Sequence, residues 1–158
     1  YIGIDTPEKG EPYYEEAREA NRRLVDGKVA KLELDEEEKD IYGRTLAYIY
    51  IDDVFVNLEL VRNGYARVST YPPNVRYKYR FAQAEMEAKR RWLGMWNPAW
   101  DVNSDGVVDI SDLRLVSDHF GKAGTNPTGD VNSDDKVNII DLVLVGIHFG
   151  ERCERTSP

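Results

Sequence analysis

Three charged side chains in the sequence have the chemistry that phosphate-ester hydrolysis uses. Asp5 and Glu8 lie three residues apart in the segment IDTPE, at the end of the strand-like start YIGI. Asp5 has oxygen atoms that suit a hard cation, and Glu8 could orient a water molecule. An arginine such as Arg44 could neutralise the charge that develops on a phosphoryl group. Together these groups predict a site for phosphodiester hydrolysis.

The element that would position Arg44 is a strand over residues 46–51. The sequence LAYIYI alternates between two faces and is rich in β-branched and aromatic residues, as expected for a half-buried strand. Gly43 lets the backbone turn just before Arg44. We therefore expect Arg44 to lie at a rigid strand end and to point out of the sheet. An arginine taken alone is also typical of an ordinary protein surface.

The segments IDTPE, DIYGRTLAYIY, VNLELVRNGYARV and AQAEMEAKRRWLGMW follow one another in an order that resembles the staphylococcal nuclease family. The resemblance implies an α+β fold, an OB-fold β-barrel with packed helices, and calcium-dependent cleavage of DNA or RNA. It assigns Asp5 as a calcium ligand, Thr6 as a backbone calcium ligand and Glu8 as the general base. It also assigns Arg44 as a cation that stabilises the transition state, and Tyr42 as a contact to the nucleotide.

This resemblance covers Tyr1 to Asn97, and it begins partway into the family pattern. The family carries a further aspartate ligand and a second arginine ahead of IDTPE, and both would precede Tyr1. We therefore expect a fragment whose barrel is incomplete at the N-terminus and which is itself inactive. Two alternatives are a non-catalytic OB fold that only binds nucleic acid and a calcium-dependent adaptor that binds another protein.

The net charge of −8 is unevenly divided along the chain. Residues 1–97 contain 16 Lys and Arg against 18 Asp and Glu, whereas residues 98–158 contain 5 against 11. A nucleic-acid-binding protein usually has a basic surface, and the stretch from Arg62 to Arg91 is locally basic. This stretch fits either a surface that follows a phosphate backbone or a solvated helix face. Tyr71 lies in a proline-bearing loop there, where it would either stack on a base or pack ordinarily.

Periodicity and turn residues predict the remaining elements of the first part. Apolar spacing predicts helices over residues 11–26, 57–64 and 79–92, the second of them capped by Asn57. Alternation predicts strands over residues 28–34, 54–56 and 65–68, in addition to residues 46–51. In the strand over residues 28–34 we expect the inward side chains to be Ala30, Leu32 and Leu34.

An internal repeat with a period of 29 residues begins after the Asn97–Trp100 boundary. DVNSDGVVDISD starts at Asp101 and DVNSDDKVNIID at Asp130, and an apolar helix follows each copy, over residues 113–120 and 142–149. Oxygen donors recur at the EF-hand loop spacing, which predicts two calcium sites. The predicted ligands are Asp101, Asn103, Asp105, Val107, Asp109 and Asp112, and then Asp130, Asn132, Asp134, Lys136, Asn138 and Asp141. Asp135 replaces the turn glycine of the first loop, so we expect the second site to be weaker.

Two such loop–helix units without entering helices resemble a type I dockerin over about residues 101–150. The resemblance implies two Ca²⁺ ions, in addition to one in the nuclease site, and a cohesin domain on a scaffold protein as partner. It also implies an extracellular or cell-surface location. The positions that match the family's partner contacts are Ile110, Ser111, Ser117, Asp118, Ile139, Ile140, Gly146 and Ile147. We thus predict a nuclease domain over residues 1–97 and a small all-α dockerin domain over residues 98–158.

No apolar run reaches membrane-spanning length, and the single cysteine, Cys153, is uninformative about redox compartment.

Overall fold

The structure is a computed structural model that describes residues 1–125 and 127–152, so Cys153 lies outside the described residues. The chain divides into two compact units, and the division falls between Trp96 and Asn97. The two units are described separately below. None of the helices described is long and apolar enough to cross a membrane.

The first unit mixes short strands with three α-helices, which agrees with the predicted α+β class. Its strands are β1 (Ile4–Asp5), β2 (Ala30–Glu33), β3 (Tyr48–Ile51), β4 (Val54–Phe55) and β5 (Arg67–Val68). Its α-helices are α1 (Tyr14–Val25), α2 (Val56–Arg62) and α3 (Lys78–Arg90), and a 3-10 turn follows at Gly94–Trp96. The strands form two separate antiparallel sheets, β1–β5 and β2–β3–β4. Within the described residues they do not form one closed barrel.

Aromatic rings fill the centre of the first unit. The Tyr48 ring centroid lies 4.7 Å from that of Tyr77, and the Phe55 centroid lies 5.6 Å from that of Phe81. The edge-on contact of Tyr48 with Tyr77 and the tilted contact of Phe55 with Phe81 add to the stabilisation that burial of apolar area provides. On α3, Phe81, Ala84 and Ala88 are buried. The core therefore fixes β3, and with it the loop that leads into that strand.

The predicted cap at Asn57 is wrong. Helix α2 begins at Val56 after an N-cap at Phe55 that makes no side-chain cap bond, and Asn57 is fully buried inside the helix. Its side-chain oxygen accepts a hydrogen bond from the Ile49 amide at 2.9 Å, and its side-chain nitrogen donates to the Ile2 carbonyl at 2.9 Å. The amide satisfies two buried backbone groups and thereby joins the chain start to β3.

The predicted inward face of β2 is also wrong. Ala30 is exposed, and the exposed fractions of Leu32 and Leu34 are 52% and 37%. β2 is an edge strand that pairs only with β3, and its Leu32 and Leu34 face is the more exposed one. The opposite face turns inward instead, since Tyr77 and Arg76 donate hydrogen bonds to Glu33 and Tyr48 donates one to Asp35.

Two glycines bring the end of α2 against the turn after α3. A Cβ atom added to Gly64 would lie 1.9 Å from the Leu93 carbonyl oxygen, and one added to Gly94 would lie 2.4 Å from the Gly64 carbonyl oxygen. Both residues have positive φ, 72° and 55°. The Met95 amide donates to the Gly64 carbonyl at 2.9 Å across the same contact.

We expect Gly64→Ala to lower the free energy of unfolding by about 2–4 kcal/mol, because it adds a backbone clash to an unfavourable φ. Chemical denaturation followed by circular dichroism would measure the change. Gly27→Ala is the matched control, since Gly27 also has positive φ, 68°, but a Cβ there meets nothing within 4 Å. Equal losses for the two variants would show that the close approach contributes nothing.

The second unit contains α4 (Ile110–Asp118) and α5 (Ile139–Ile147), each starting about three residues earlier than predicted. Each loop pairs with the segment that follows the other helix. The Val108 amide donates to the Glu151 carbonyl at 2.9 Å, and the Val137 amide donates to the Lys122 carbonyl at 2.9 Å. These pairs are related by the 29-residue period of the sequence, so the two copies stabilise one another reciprocally.

Candidate active site and metal-binding loops

A cavity of about 690 Å³ in the first unit brings together the side chains singled out in the sequence. β1 delivers Asp5 to its rim, and β1 is held by pairing of Asp5 with Arg67 and of Ile4 with Val68 on β5. Asp5, Thr6, Glu8 and Arg44 all line this cavity. Arg44 is at least 36 positions from the other three residues in the sequence, and the fold brings all four to one surface. We call it the active-site cavity below.

A short turn fixes the backbone at Glu8. The Glu8 amide donates to the Glu11 carboxylate at 2.8 Å, and the Glu11 amide donates to the Glu8 carbonyl at 2.9 Å. Asp5, Thr6 and Glu8 are exposed. The turn therefore presents the Glu8 carboxylate to a water-accessible cavity, where a base that activates water must lie.

Asp40 is a functional candidate that sequence reasoning missed. It lines the active-site cavity, and its carboxylate accepts hydrogen bonds from the Arg44 amide at 2.9 Å and from the Arg44 guanidinium. Burial raises the pKa of Asp40, but the hydrogen bonds from Arg44 and the Tyr42 amide outweigh burial and keep that pKa below its ordinary value. The spacing of four residues between Asp40 and Arg44 was visible in the sequence and could have suggested an ion pair.

Arg44 does not lie at a strand end as predicted. β3 begins at Tyr48, and Arg44 lies in the preceding loop, where Asp40 holds it. Its side chain is 75% exposed, and its guanidinium lies 5.3 Å from the Tyr42 ring centroid. A hydrogen-bonded turn, and not the sheet, therefore orients this cation.

The two candidate nucleotide contacts, Tyr42 and Tyr71, are 77% and 75% exposed. Neither lines the active-site cavity. Such exposure disagrees with ordinary core packing for Tyr71 and leaves both rings accessible to a base. Tyr42 is connected to the cavity through its contact with Arg44, whereas Tyr71 lies apart in the loop before α3.

If Asp40 positions Arg44, Asp40→Asn should lower turnover by about tenfold with little change in KM, because a misplaced catalytic group costs rate more than binding. Steady-state kinetics on an oligonucleotide, measured on the natural protein that carries these residues, would test this. Asp53→Asn is the matched control, since Asp53 is an exposed aspartate that does not line the cavity. Unchanged turnover in Asp40→Asn would show that the ion pair is incidental.

The described residues supply only part of a metal site in the active-site cavity. Within residues 1–125 and 127–152, no three or more His, Cys, Asp or Glu side chains are grouped as metal ligands. Asp5 and Thr6 contribute oxygen donors of the kind that Ca²⁺ prefers. The Asp40 carboxylate forms an ion pair with Arg44 and is therefore not counted among these donors.

Each repeat loop is closed by hydrogen bonds to its own carboxylates. The Asp101 carboxylate accepts from the Gly106 amide at 2.9 Å, and the Asp112 carboxylate accepts from the Asn103 amide at 3.1 Å and the Asp109 amide at 2.8 Å. Asp109 and Asp112 also form a capping box at the start of α4. The same aspartates of the repeat therefore close the loop and cap the first turn of the helix that follows it.

The first loop buries two of its predicted ligands, although within the described residues its acidic side chains are not grouped as three or more metal ligands. Asp101 and Asp112 are 1% and 0% exposed, and neither forms an ion pair with a described basic side chain. Burial, together with the charges of Asp112 and Asp105, raises the pKa of Asp101. Burying an ionised carboxylate without a positive partner costs free energy of folding.

The second loop repeats this geometry. The Asp130 carboxylate accepts from the Asp135 amide at 2.8 Å, and the Asp141 carboxylate, fully buried, accepts from the Asn138 amide at 2.8 Å. Asp135 adopts φ 63° where Gly106 has φ 85°, so this aspartate takes the left-handed conformation expected from its position. Weaker metal binding by the second loop stays a prediction.

All eight predicted partner-contact residues are exposed. They differ in chemistry between the copies. The second copy presents Ile139, Ile140 and Ile147 at 61%, 50% and 68% exposure, whereas the first combines Ile110 with hydroxyl and acidic groups. Because α5 carries most of the apolar surface, it is the more suitable of the two helices for a protein contact.

Comparison with known proteins gives a family match for the first unit. Residues 1–98 match the family described as staphylococcal nuclease homologue. The chain is 39% identical over 101 residues to the thermonuclease of Staphylococcus intermedius, covering 60% of each protein. It is 38% identical over 114 residues to the endonuclease YncB of Bacillus subtilis (strain 168), covering 67% of this chain and 54% of that protein. The chain thus spans about 60% of the thermonuclease relatives that it matches.

Proposed function

The chain belongs to the family of staphylococcal nuclease homologues, and we propose that the protein carrying it hydrolyses phosphodiester bonds of DNA or RNA with calcium as cofactor. The observation that carries the proposal is the meeting of Asp5, Thr6, Glu8 and Arg44 on one cavity. The names thermonuclease and endonuclease, which belong to relatives at 39% and 38% identity, support the same chemistry. For the fold we propose an OB-type arrangement of the strands.

The catalytic and nucleotide-binding candidates have distinct roles in this proposal. Glu8 takes a proton from the attacking water, and the turn through Glu11 fixes its position. Arg44 donates hydrogen bonds to the phosphoryl oxygens as negative charge develops, and Asp40 orients it. Tyr42, beside Arg44, contacts the nucleotide next to the scissile bond. Tyr71 stacks on a more distant base.

Asp5 and Thr6 would hold the calcium ion, the first by its carboxylate and the second by its backbone carbonyl. Their donors are oxygen atoms only, which suits a hard cation. When bound, the ion supplies Lewis-acid polarisation of the phosphoryl oxygen. The role of the chain at this point is to present both donors on the cavity wall that also carries Glu8.

Cleavage of supercoiled plasmid DNA and of a structured RNA by the natural protein tests this proposal. We expect cleavage in calcium and none after chelation with EDTA. A preparation of the Glu8→Gln variant, purified in parallel, controls for contaminating nucleases. Intact nucleic acid in calcium, with the protein nevertheless bound to it, would favour the non-catalytic binding function instead.

We propose further that the second unit is a type I dockerin that binds two Ca²⁺ ions and tethers the nuclease to a cohesin-bearing scaffold. The two loops with buried aspartates and the exposed apolar face of α5 support this assignment. The proposal places the protein outside the cell or at its surface. Calcium-dependent retention of the natural protein on immobilised cohesin domains tests it. Retention without nuclease activity would favour the calcium-dependent adaptor function.

A further inference from the structure

A second cavity, of about 380 Å³, lies between α2 and α3 and is lined by three arginines. Arg62 comes from α2, Arg80 from the first turn of α3, and Arg91 directly follows α3. The lining residues Arg80, Ala84 and Glu87 of α3 and the C-cap Arg91 recur at intervals of three and four residues, so they lie on one side of the helix. We call this cavity the arginine groove.

The arginine groove is separate from the active-site cavity. Leu58 and Arg62 of α2 line the groove, whereas Leu60 of the same helix lines the active-site cavity. An α-helix turns by roughly 100° per residue, which places Leu60 roughly 200° from Leu58 around the helix axis. The two cavities therefore lie on opposite faces of α2, and a group bound in one is not bound in the other.

The charges in the groove leave a positive surplus. Arg62 is paired with Glu59, and the lining residue Glu87 is paired with Arg90 at 2.7 Å. Within residues 1–125 and 127–152, neither Arg80 nor Arg91 forms an ion pair. Of the basic residues over 62–91, Arg62, Arg76, Lys89 and Arg90 pair with carboxylates, whereas Arg67, Lys78, Arg80 and Arg91 form no ion pair within the described residues.

Both unpaired guanidinium groups have hydrogen-bond donors to offer. The Arg80 guanidinium lies 5.6 Å from the Phe55 ring centroid and 5.5 Å from the Tyr77 ring centroid, contacts that hold it in place without using its N–H groups. The Arg91 Nε is buried and has no acceptor among the described residues. Buried donors in folded proteins nearly always have a partner, so this Nε–H is an unsatisfied donor beside the groove.

We propose that the arginine groove binds a phosphate group of a nucleic-acid strand, outside the active-site cavity. Phosphate offers several oxygen acceptors, and the forked donors of arginine suit that geometry. The bound strand would thereby be held at a second point on the first unit. The proposal concerns binding only, so it stands or falls independently of cleavage. Free inorganic phosphate offers the same chemistry, and the experiment separates the two sources.

Affinity for a short fluorescent single-stranded oligonucleotide tests the groove, measured by anisotropy in calcium. The Glu8→Gln background is used so that the probe stays intact and both units keep their metal. In that background, Arg80→Gln is expected to weaken binding about tenfold at low salt and to reduce the salt-dependence slope by about one. Arg23→Gln is the matched control, because it removes the same charge from an exposed residue of α1 that lines neither cavity. Equal weakening by both variants would overturn the proposal.

A second measurement needs no arginine variant. In the nitrogen-15 NMR spectrum, the Arg91 Nε–H signal is expected to shift when the oligonucleotide is added at stoichiometric concentration. An Arg91 signal that the oligonucleotide leaves unmoved would overturn the proposal. The assignment to nucleic acid would be overturned by two results together. Inorganic phosphate would shift the Arg91 Nε–H signal to saturation, and the Arg80→Gln variant would bind the oligonucleotide with unchanged affinity.

Discussion

Arg44→Ala is expected to reduce kcat on an oligonucleotide by on the order of 10²–10⁴-fold, with a much smaller change in substrate affinity. Arg44 faces the same cavity as Asp5 and Glu8, and the Asp40 carboxylate fixes its direction. A cation so placed interacts most strongly with the charge that appears only in the transition state, so its loss lowers kcat more than it raises KM.

Single-turnover and steady-state kinetics on the natural protein would measure this effect. Arg23→Ala, on exposed α1 and outside the cavity, controls for the loss of one positive charge. Glu8→Gln should cause a loss of similar size, because both groups act in one step. Near-normal kcat in Arg44→Ala would show that Arg44 is an ordinary surface arginine.

Chelation of calcium is expected to unfold the second unit, with α4 and α5 losing their helical signal in circular dichroism. Each of these helices has nine residues, too short to persist alone in water. Asp112 and Asp141 are fully buried at their first turns. Without a cation these carboxylates are buried at close range to others of the same sign, so metal binding and folding are coupled.

A titration of the full chain with EDTA and then with calcium would follow this transition. Recovery of the helical signal on adding calcium is the expected control, and magnesium at equal concentration should restore less of it. Asp112→Asn should weaken the first site selectively, since it removes one charge and keeps the side-chain shape. A far-ultraviolet spectrum unchanged by EDTA at low salt would contradict the coupling.

The sequence predicted the chemistry of the active-site cavity better than its supporting structure. IDTPE and the later arginine identified groups that the fold does bring together. The role of Asp40 was missed because four-residue spacing also occurs on helix surfaces, and only the turn geometry shows which case applies. Arg44 was assigned to a strand end for a different reason. The alternation of apolar residues predicts a strand but does not show at which residue strand pairing begins.

Tertiary contacts account for the other errors. Asn57 has the residue type and place of an N-cap, yet its amide bonds to Ile49 and Ile2, which a local pattern cannot reveal. Leu32 alternates as an inward residue should, but it lies on the more exposed face of β2. In the second unit, repetition at 29 residues predicted matching loops, and the matched hydrogen bonds of Asp101 and Asp130 agree with it.

The most direct test of the central claim follows binding and cleavage of one labelled oligonucleotide in a single sample of the natural protein. In calcium, anisotropy should rise on mixing and then fall below its starting value as short fragments form. EDTA added midway should stop the fall, and Glu8→Gln should show the rise alone. A stable rise with the oligonucleotide intact in calcium, or cleavage that continues in EDTA, would contradict a calcium-dependent nuclease built on Asp5, Glu8 and Arg44.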